Sequence, residues 1–220
     1  MPDNVVNVFN SISSKYDLLD FIISFGMDRS WRSEVVKELS PVPGSTVLDC
    51  GSGTGKLAYM ISRRCRECSI ICLDITESMF RRDRLPDSRF IVSSALSIPL
   101  EDESVDYVSS AFLTRNVGDV KRYFSEVHRV LRKGGRFTNL DIYNPAVPVF
   151  RDLFRLYFYT LVPAFGDIAT RSDSYSYLSR SVQKFHSPDQ VTSMLEDAGF
   201  NKIRKKSRAF SVINIHSATK

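Results

Sequence analysis

The chain has 220 residues, 43% apolar and 25% charged, with 10 Gly and 9 Pro; this profile excludes collagen-like and disordered chains and suits one α/β domain with a substantial core. The net charge of +5 comes from short clusters, "RRCR" at 63–66, "RRDR" at 81–84 and "KIRKKSR" at 202–208, which suit solvated helix ends and edge strands or an anionic partner surface. The longest apolar tract, "VPVFRDLFRLYFYTLVPAF", contains Arg151, Asp152 and Arg155, each costing roughly 2.5 to 3.5 kcal/mol at a bilayer centre, so it is not expected to span a membrane.

The N-terminus, "MPDNVVNVFNSISSKYD", lacks a basic region followed by an apolar core, and no secretion signal is expected. The expected compartment is cytoplasmic. Residues 5–38 carry helical spacing (Val5, Val8, Phe9, Ile12, then Leu18, Leu19, Phe21, Ile22, Ile23) and predict a helical cap over 1–40, ended by "PVPG" at 41–44.

Strand and helix signals then alternate: "TVLDC" strand, "GKLAYMISRRC" helix, "SIICLDI" strand, "ESMFRRDRL" helix, "RFIVSSAL" strand, "VDYVSSAFL" strand, "VKRYFSEVHRVLRKGG" helix, "RFTNLDIY" strand. This order predicts a doubly wound, Rossmann-like parallel sheet with helices on both faces. Ligands in such sheets bind beyond the carboxyl ends of the strands, here the loops at 50–55, 74–79, 94–99, 111–119 and 141–145.

Residues 146–186 interrupt the alternation with an aromatic-rich stretch that includes Phe150, Phe154, Tyr157, Phe158, Tyr159 and Tyr177. It is too long for a simple connection and predicts a helical insertion, a lid over the active face or an extra core layer. "SPDQVTSMLEDAGF" follows, with Ser187 as cap, Pro188 at the first helical position, Gln190 closing a capping box and Gly199 as terminator. The chain closes with "KIRKKSRAF" and "SVINIHSA", a hairpin that inserts an antiparallel strand.

Cys50, Cys65, Cys68 and Cys72 include one isolated C-x-x-C, and His128, His186 and His216 are scattered. A structural zinc site requires four clustered ligands, so no metal is expected and the cysteines read as reduced, partly buried thiols.

The stretch "VLDCGSGTGKLA" resembles several nucleotide loops. A Walker phosphate loop requires G-x-x-x-x-G-K-[ST]; Cys50 occupies its first glycine position and Leu57 its hydroxyl position. The spacing Asp49, Gly51, Gly53, Gly55 instead resembles motif I of class I S-adenosylmethionine (SAM)-dependent methyltransferases. Asp74, ending the next strand, is placed to accept both ribose hydroxyls of that cofactor.

Beyond this loop, "VFNSISSKYDLLDFIISFGMDRSWR", "LDITESM", "SALSIPLEDESVDYVSSAFLTRNVGD", "VHRVLRKGGRF", "LDIYNP", "SYSYLSRSVQKF" and "MLEDAGF" resemble the ubiquinone/menaquinone biosynthesis C-methyltransferases (UbiE type). The resemblance implies a seven-stranded sheet of order 3-2-1-4-5-7-6 with the last strand antiparallel. It implies SAM as cofactor, held by Asp49, Gly51, Gly53, Thr54 and Gly55, by Asp74 at the ribose, by Ser94 and Ala95 at the adenine, and by Ala111. It implies transfer of a methyl group to a ring carbon of a polyprenylated quinol, with Tyr16, Arg115 and Asn116 facing the substrate.

Arg115 stays protonated and cannot be the base; it is suited to stabilising a phenolate or orienting a water. Asp141 and His186 are the candidate bases. A lipid-tailed substrate gives the 146–186 insertion apolar work, with peripheral membrane contact through 146–165 on the inner face of the membrane. Lys56 stands where the family has Asp, and Ala111 where Ser is common. A cation beside a cationic sulfonium is unfavourable, so Lys56 is expected to turn outward or to reach the cofactor's carboxylate. Nucleic acid is not an expected partner, because "AFLTRN" replaces the (N/D)-P-P-(Y/F) of base-amine methylases. Another small acceptor, RNA, or SAM binding without catalysis are the alternative readings.

Overall fold

In the computed structural model, residues 17, 20, 21, 24–145, 148–162 and 174–220 are described. Seven strands form one sheet, β1 (Thr46–Cys50), β2 (Ser69–Asp74), β3 (Arg89–Val92), β4 (Val105–Ala111), β5 (Leu131–Ile142), β6 (Asn201–Arg208) and β7 (Ile213–Thr219), in the order β3-β2-β1-β4-β5-β7-β6. The pairs among β1 to β5 are parallel, and β7 runs antiparallel to both β5 and β6. The expected doubly wound sheet and inserted antiparallel strand are therefore both present.

The central strands are buried on both faces, as continuous apolar runs in a parallel sheet must be. Neighbours on β1 point oppositely. Leu48 joins a core with β2 Leu73, β4 Val108 and β5 Phe137; Val47 joins the other, with β2 Cys72, β5 Leu140 and β7 Ile215. Helices α1 (Asp28–Leu39) and α2 (Lys56–Arg64) cover the second core through Val35, Leu39, Leu57 and Ile61. Helices α3 (Val120–Val130) and α6 (Pro188–Asp197) cover the first. On α3 the buried set Val120, Tyr123, Phe124, Val127, Val130 follows the helical repeat, and Asp119 caps it by accepting the Arg122 amide. The capping box of Ser187 and Gln190 and the first-turn Pro188 start α6 as expected. Strand β6, "NKIRKKSR", is the sheet edge, where its Lys and Arg side chains discourage pairing with another chain.

Three expectations are corrected. Residues 77–85 do not form one helix but two 3-10 turns, Glu77–Met79 and Arg82–Arg84. Phe80 leaves the helical conformation to pack on Phe90 at 5.0 Å, and Leu85 precedes Pro86, which disfavours helix. Helix α3 ends at Val130 rather than running to Gly135, because Leu131 pairs with Val105 and starts β5. Cys65 and Cys68 are joined in a disulfide rather than being free thiols. Their turn between α2 and β2 brings the Cα atoms to 5.4 Å, within bridging range. Cys50 and Cys72 are free and buried as expected.

The insertion contributes α4 (Pro148–Leu156), a π-helical turn at Tyr157–Leu161, and α5 (Ser174–Gln183). Among the described residues no helix is long and apolar enough to cross a membrane.

Candidate active site

The loops after β1, β2, β3 and β4 and the face of α5 enclose a cavity of about 710 Å³, a size suited to small-molecule ligands. Its floor is the glycine turn. Gly51 has φ of 62°, and a Cβ there would meet the Leu113 side chain at 2.8 Å; only glycine fits both the conformation and the space. The Gly53 amide donates to Asp74 Oδ2 at 2.8 Å and the Thr76 amide to Oδ1 at 2.9 Å, so the turn after β1 is tied to the carboxylate ending β2. Burial pushes the Asp74 carboxyl up, while the amides of Thr76, Gly53 and Ile75 pull it back.

Of the cofactor residues expected from sequence, Gly51, Gly53, Asp74, Ser94, Ala95 and Ala111 line this cavity. Asp49, Thr54 and Gly55 lie behind its wall. Asp49 is buried beneath the turn, where its Oδ1 accepts the Ser109 hydroxyl at 2.8 Å. Burial pushes it up to about 7, against Ser109 and the charge of Arg32. The Thr54 hydroxyl turns toward the cap and donates to Asp17 at 2.6 Å. Gly55 is the cap of α2. Their sequence signal reports loop construction as much as contact.

Lys56 turns away from the cavity. Its Nζ lies 3.0 Å from Asp20 Oδ2 and 3.3 Å from Asp28 Oδ2, and also donates to the Asp17 carbonyl. Arg32 and Arg84 bind the same carboxylates, Arg32 to Asp20 and Asp28, Arg84 to Asp17. The cation that imitates a phosphate loop is thus the hub of a latch between loop and cap.

The other half of the cavity is built on a left-handed Phe112, at φ of 64°. A non-glycine residue there costs about 1–3 kcal/mol. The conformation lets one carbonyl, that of Phe112, accept from both Arg115 Nη1 (3.0 Å) and Asn116 Nδ2 (2.9 Å). Arg115 is also held by Asp141 of β5, through Nη1 to Oδ1 (2.5 Å) and its backbone amide to Oδ2 (3.1 Å); the Ile142 amide donates to Oδ1 as well. Both oxygens of Asp141 are therefore engaged. Asn116 Oδ1 accepts the Tyr177 hydroxyl of α5 at 3.1 Å, joining the insertion to the β4 loop. His186 lines the cavity just before the Ser187 cap. Tyr16 lies outside the described residues.

Sequence reasoning missed Ile75, Met79, Leu96 and Val117, which supply apolar wall, and Arg180 and Ser181 on α5 with Lys184 just after it. The wall residues carry no local signal. The second set was detectable, since 177, 180, 181 and 184 follow helical spacing.

The residues fit an adenosyl cofactor: a glycine turn too tight for a Cβ, and Asp74 at a strand end, where the Gly53 and Thr76 amides occupy two of its roughly four lone-pair sites and leave two for ribose hydroxyls. Sheet order, turn and terminal acid define a class I SAM-dependent methyltransferase. The fold is shared with a SAM-dependent methyltransferase of Thermotoga maritima (TM-score 0.70, 18% identity, 97% of this chain and 98% of that one). It is shared also with a Haemonchus contortus phosphoethanolamine N-methyltransferase solved with S-adenosyl-L-methionine (TM-score 0.64, 14% identity, 86% and 52%). The model of the ubiE/COQ5 methyltransferase family matches residues 2–220, and the chain belongs to that family. A ubiquinone/menaquinone biosynthesis C-methyltransferase of Rickettsia bellii is 32% identical over 229 residues, covering 98% of this chain and 92% of that protein. The mitochondrial 2-methoxy-6-polyprenyl-1,4-benzoquinol methylase of Arabidopsis thaliana is 33% identical over 243 residues (98% and 84%). The chain is a SAM-dependent methyltransferase.

Proposed function

We propose that the chain methylates a ring carbon of a polyprenylated quinol, of the demethylmenaquinol or methoxy-polyprenyl-benzoquinol type. The observation that carries this reading is the single cavity shared by the Gly51, Gly53 and Asp74 cradle and the Arg115–Asn116 loop. Relatives named for this chemistry span nearly the whole chain.

When bound, the cofactor supplies a sulfonium-activated methyl group. Gly51, Gly53, Asp74, Ser94, Ala95 and Ala111 hold it, with Asp49, Thr54 and Gly55 shaping the loop from behind. Arg115 and Asn116 face the ring, and the family resemblance assigns Tyr16 to the substrate as well. A ring carbon becomes nucleophilic when a phenolic hydroxyl loses its proton. Arg115 stabilises the oxygen charge that develops. Asp141 has both oxygens engaged and acts by positioning Arg115, which leaves His186 as the imidazole suited to accept the proton, directly or through water. Asn116, fixed between Phe112 and Tyr177, orients the ring for in-line transfer.

The insertion suits the prenyl tail, and of the 146–165 stretch expected to contact the inner face of the membrane, residues 148–162 are described. Leu156 is 55% and Phe25 71% exposed, and Phe25 stacks on Tyr157 at 5.7 Å. Arg151 and Arg155 lie on the same helix, α4, where they suit anionic headgroups. Flotation with anionic liposomes at low salt checks this contact, and absence of association overturns it.

The test of function is methyl transfer to a short-chain demethylated quinol kept reduced, run beside tRNA. Methylation of the ring carbon is expected. Transfer to RNA with none to any quinol overturns the reading.

A further inference from the structure

We infer that Arg180 and Lys184 form a cationic wall that binds the acceptor ring as its phenolate. The inference rests on the hydroxylated-ring reading above and assigns a role to residues of the insertion that neither the loop motifs nor the Arg115 site requires.

Arg180 on α5 and Lys184 in the turn that follows it, four residues apart, line the cavity together with Tyr177 and Ser181 of α5. Among the described residues neither side chain has an ion-pair partner. Cations near a helix C-terminus are favourable, which accounts for their charge. It does not account for their place on the cavity side.

Asp74, at the cofactor end, is the one carboxylate among the residues lining the cavity. Around the acceptor end, the β4 loop presents Arg115, already neutralised by Asp141 from β5. The segment after α5 presents Lys184 and His186, and α5 itself presents Tyr177 and Arg180. Arg180 and Lys184 are exposed at the edge of the cavity, so two positive charges that lack an ion-pair partner among the described residues raise the potential at the mouth of a partly apolar cleft, an attraction that salt screens. A neutral prenyl tail has no use for them. A ring whose hydroxyl has given its proton to solvent or to His186 does. Opposite charge nearby favours the ionised form of the phenol and lowers its pKa, the same change that makes a ring carbon nucleophilic.

The probe is 2-methoxy-4-nitrophenol, whose ionisation is read from its visible absorbance, bound to the full chain with S-adenosylhomocysteine present. Its apparent pKa is expected to fall by about one unit on binding, equivalent to about tenfold tighter binding of phenolate than phenol. In R180Q/K184Q at least half of the shift is expected to vanish, with cofactor affinity and circular dichroism unchanged. R180K, which keeps the charge, retains it. Raising the ionic strength with the unaltered chain shrinks the shift, and this arm stands even if the double variant fails to fold. A bound pKa equal to that of the free phenol, a shift indifferent to salt, or a full shift in a folded R180Q/K184Q overturns the inference. Failure of the unaltered chain to bind any hydroxylated ring overturns this inference and the acceptor reading together; binding without a shift overturns the inference alone.

Discussion

The Arg115 guanidinium and the Asp141 carboxylate form a buried ion pair at 2.5 Å, with side-chain exposures of 5% and 0%. Arg115 lies in the 3-10 turn Thr114–Asn116 that follows β4 and Asp141 near the end of β5, so neighbouring parallel strands bring together residues 26 apart in sequence. Removing one partner of a buried pair strands the other charge, at about 3–5 kcal/mol. D141A is expected to lose stability of that order in a denaturant titration. D141N, which keeps an oxygen to accept from Arg115, is expected to lose less while lowering kcat by about a hundredfold through misplacement of the guanidinium. Asp141 acting as the base itself would instead make D141N as inactive as D141A at every pH, with no recovery at alkaline pH in either.

The sheet was legible because its central strands are uninterrupted apolar runs separated by helix patterns, and Asp74 was legible because a carboxylate ending β2 beside a glycine turn has few other uses. The pairing of Arg115 with Asp141 was not, because it depends on strand neighbours rather than on spacing along the chain. Asp141 therefore read as a free base. Residues 77–85 misread as one helix because their local pattern is helical, while the packing of Phe80 on Phe90 and the restriction before Pro86 act against it. The disulfide was missed because composition alone assigns isolated C-x-x-C to free thiols; only the turn between α2 and β2 sets the cysteines side by side.

Gly51 makes a second test. Alanine there must hold φ near 62° and place a Cβ 2.8 Å from Leu113, a strain of about 1–3 kcal/mol from the backbone alone. G51A is expected to weaken SAM binding by at least about tenfold in calorimetry. Adding L113A removes the clash and leaves the backbone strain, so affinity should return only in part. Full return would mean that space, not conformation, selects glycine.

Lys56 sits among Asp17, Asp20 and Asp28, so the aspartate expected there by family resemblance would be repelled. K56M is expected to lower stability by about 1 kcal/mol, the scale of a partly exposed ion pair, and K56D by more. The Asp17 carboxyl is raised by burial but brought below its usual range by Thr54, Arg84 and Lys56. Thermal melts at low and high salt check the latch: the gap between the unaltered chain and K56D should narrow as salt screens it. A K56D more stable than K56M would sink the argument.

Two buried groups act in opposite directions on acidification. His216 on β7 offers one ring nitrogen to the Pro188 carbonyl at 3.0 Å, and its Nδ1 has no hydrogen-bond partner among the described residues. Burial pushes it down from 6.5 to about 4. Below pH 6.5 the unfolded chain therefore takes up a proton that the fold refuses, and its contribution, complete above 6.5, is lost as pH falls toward 4, by up to about 3 kcal/mol. Asp49 is raised to about 7, so between 7 and the ordinary aspartate range the fold binds a proton that the unfolded chain does not. Its contribution is gained as pH falls. The two slopes offset one another between pH 6.5 and about 4.5. D49N keeps an oxygen for Ser109 and should expose the His216 slope, giving stability that declines on acidification in this window. H216Q should expose the Asp49 slope and give stability that rises. Denaturant titrations of the three proteins across that window check both signs, and parallel curves would mean that neither group titrates as its burial requires.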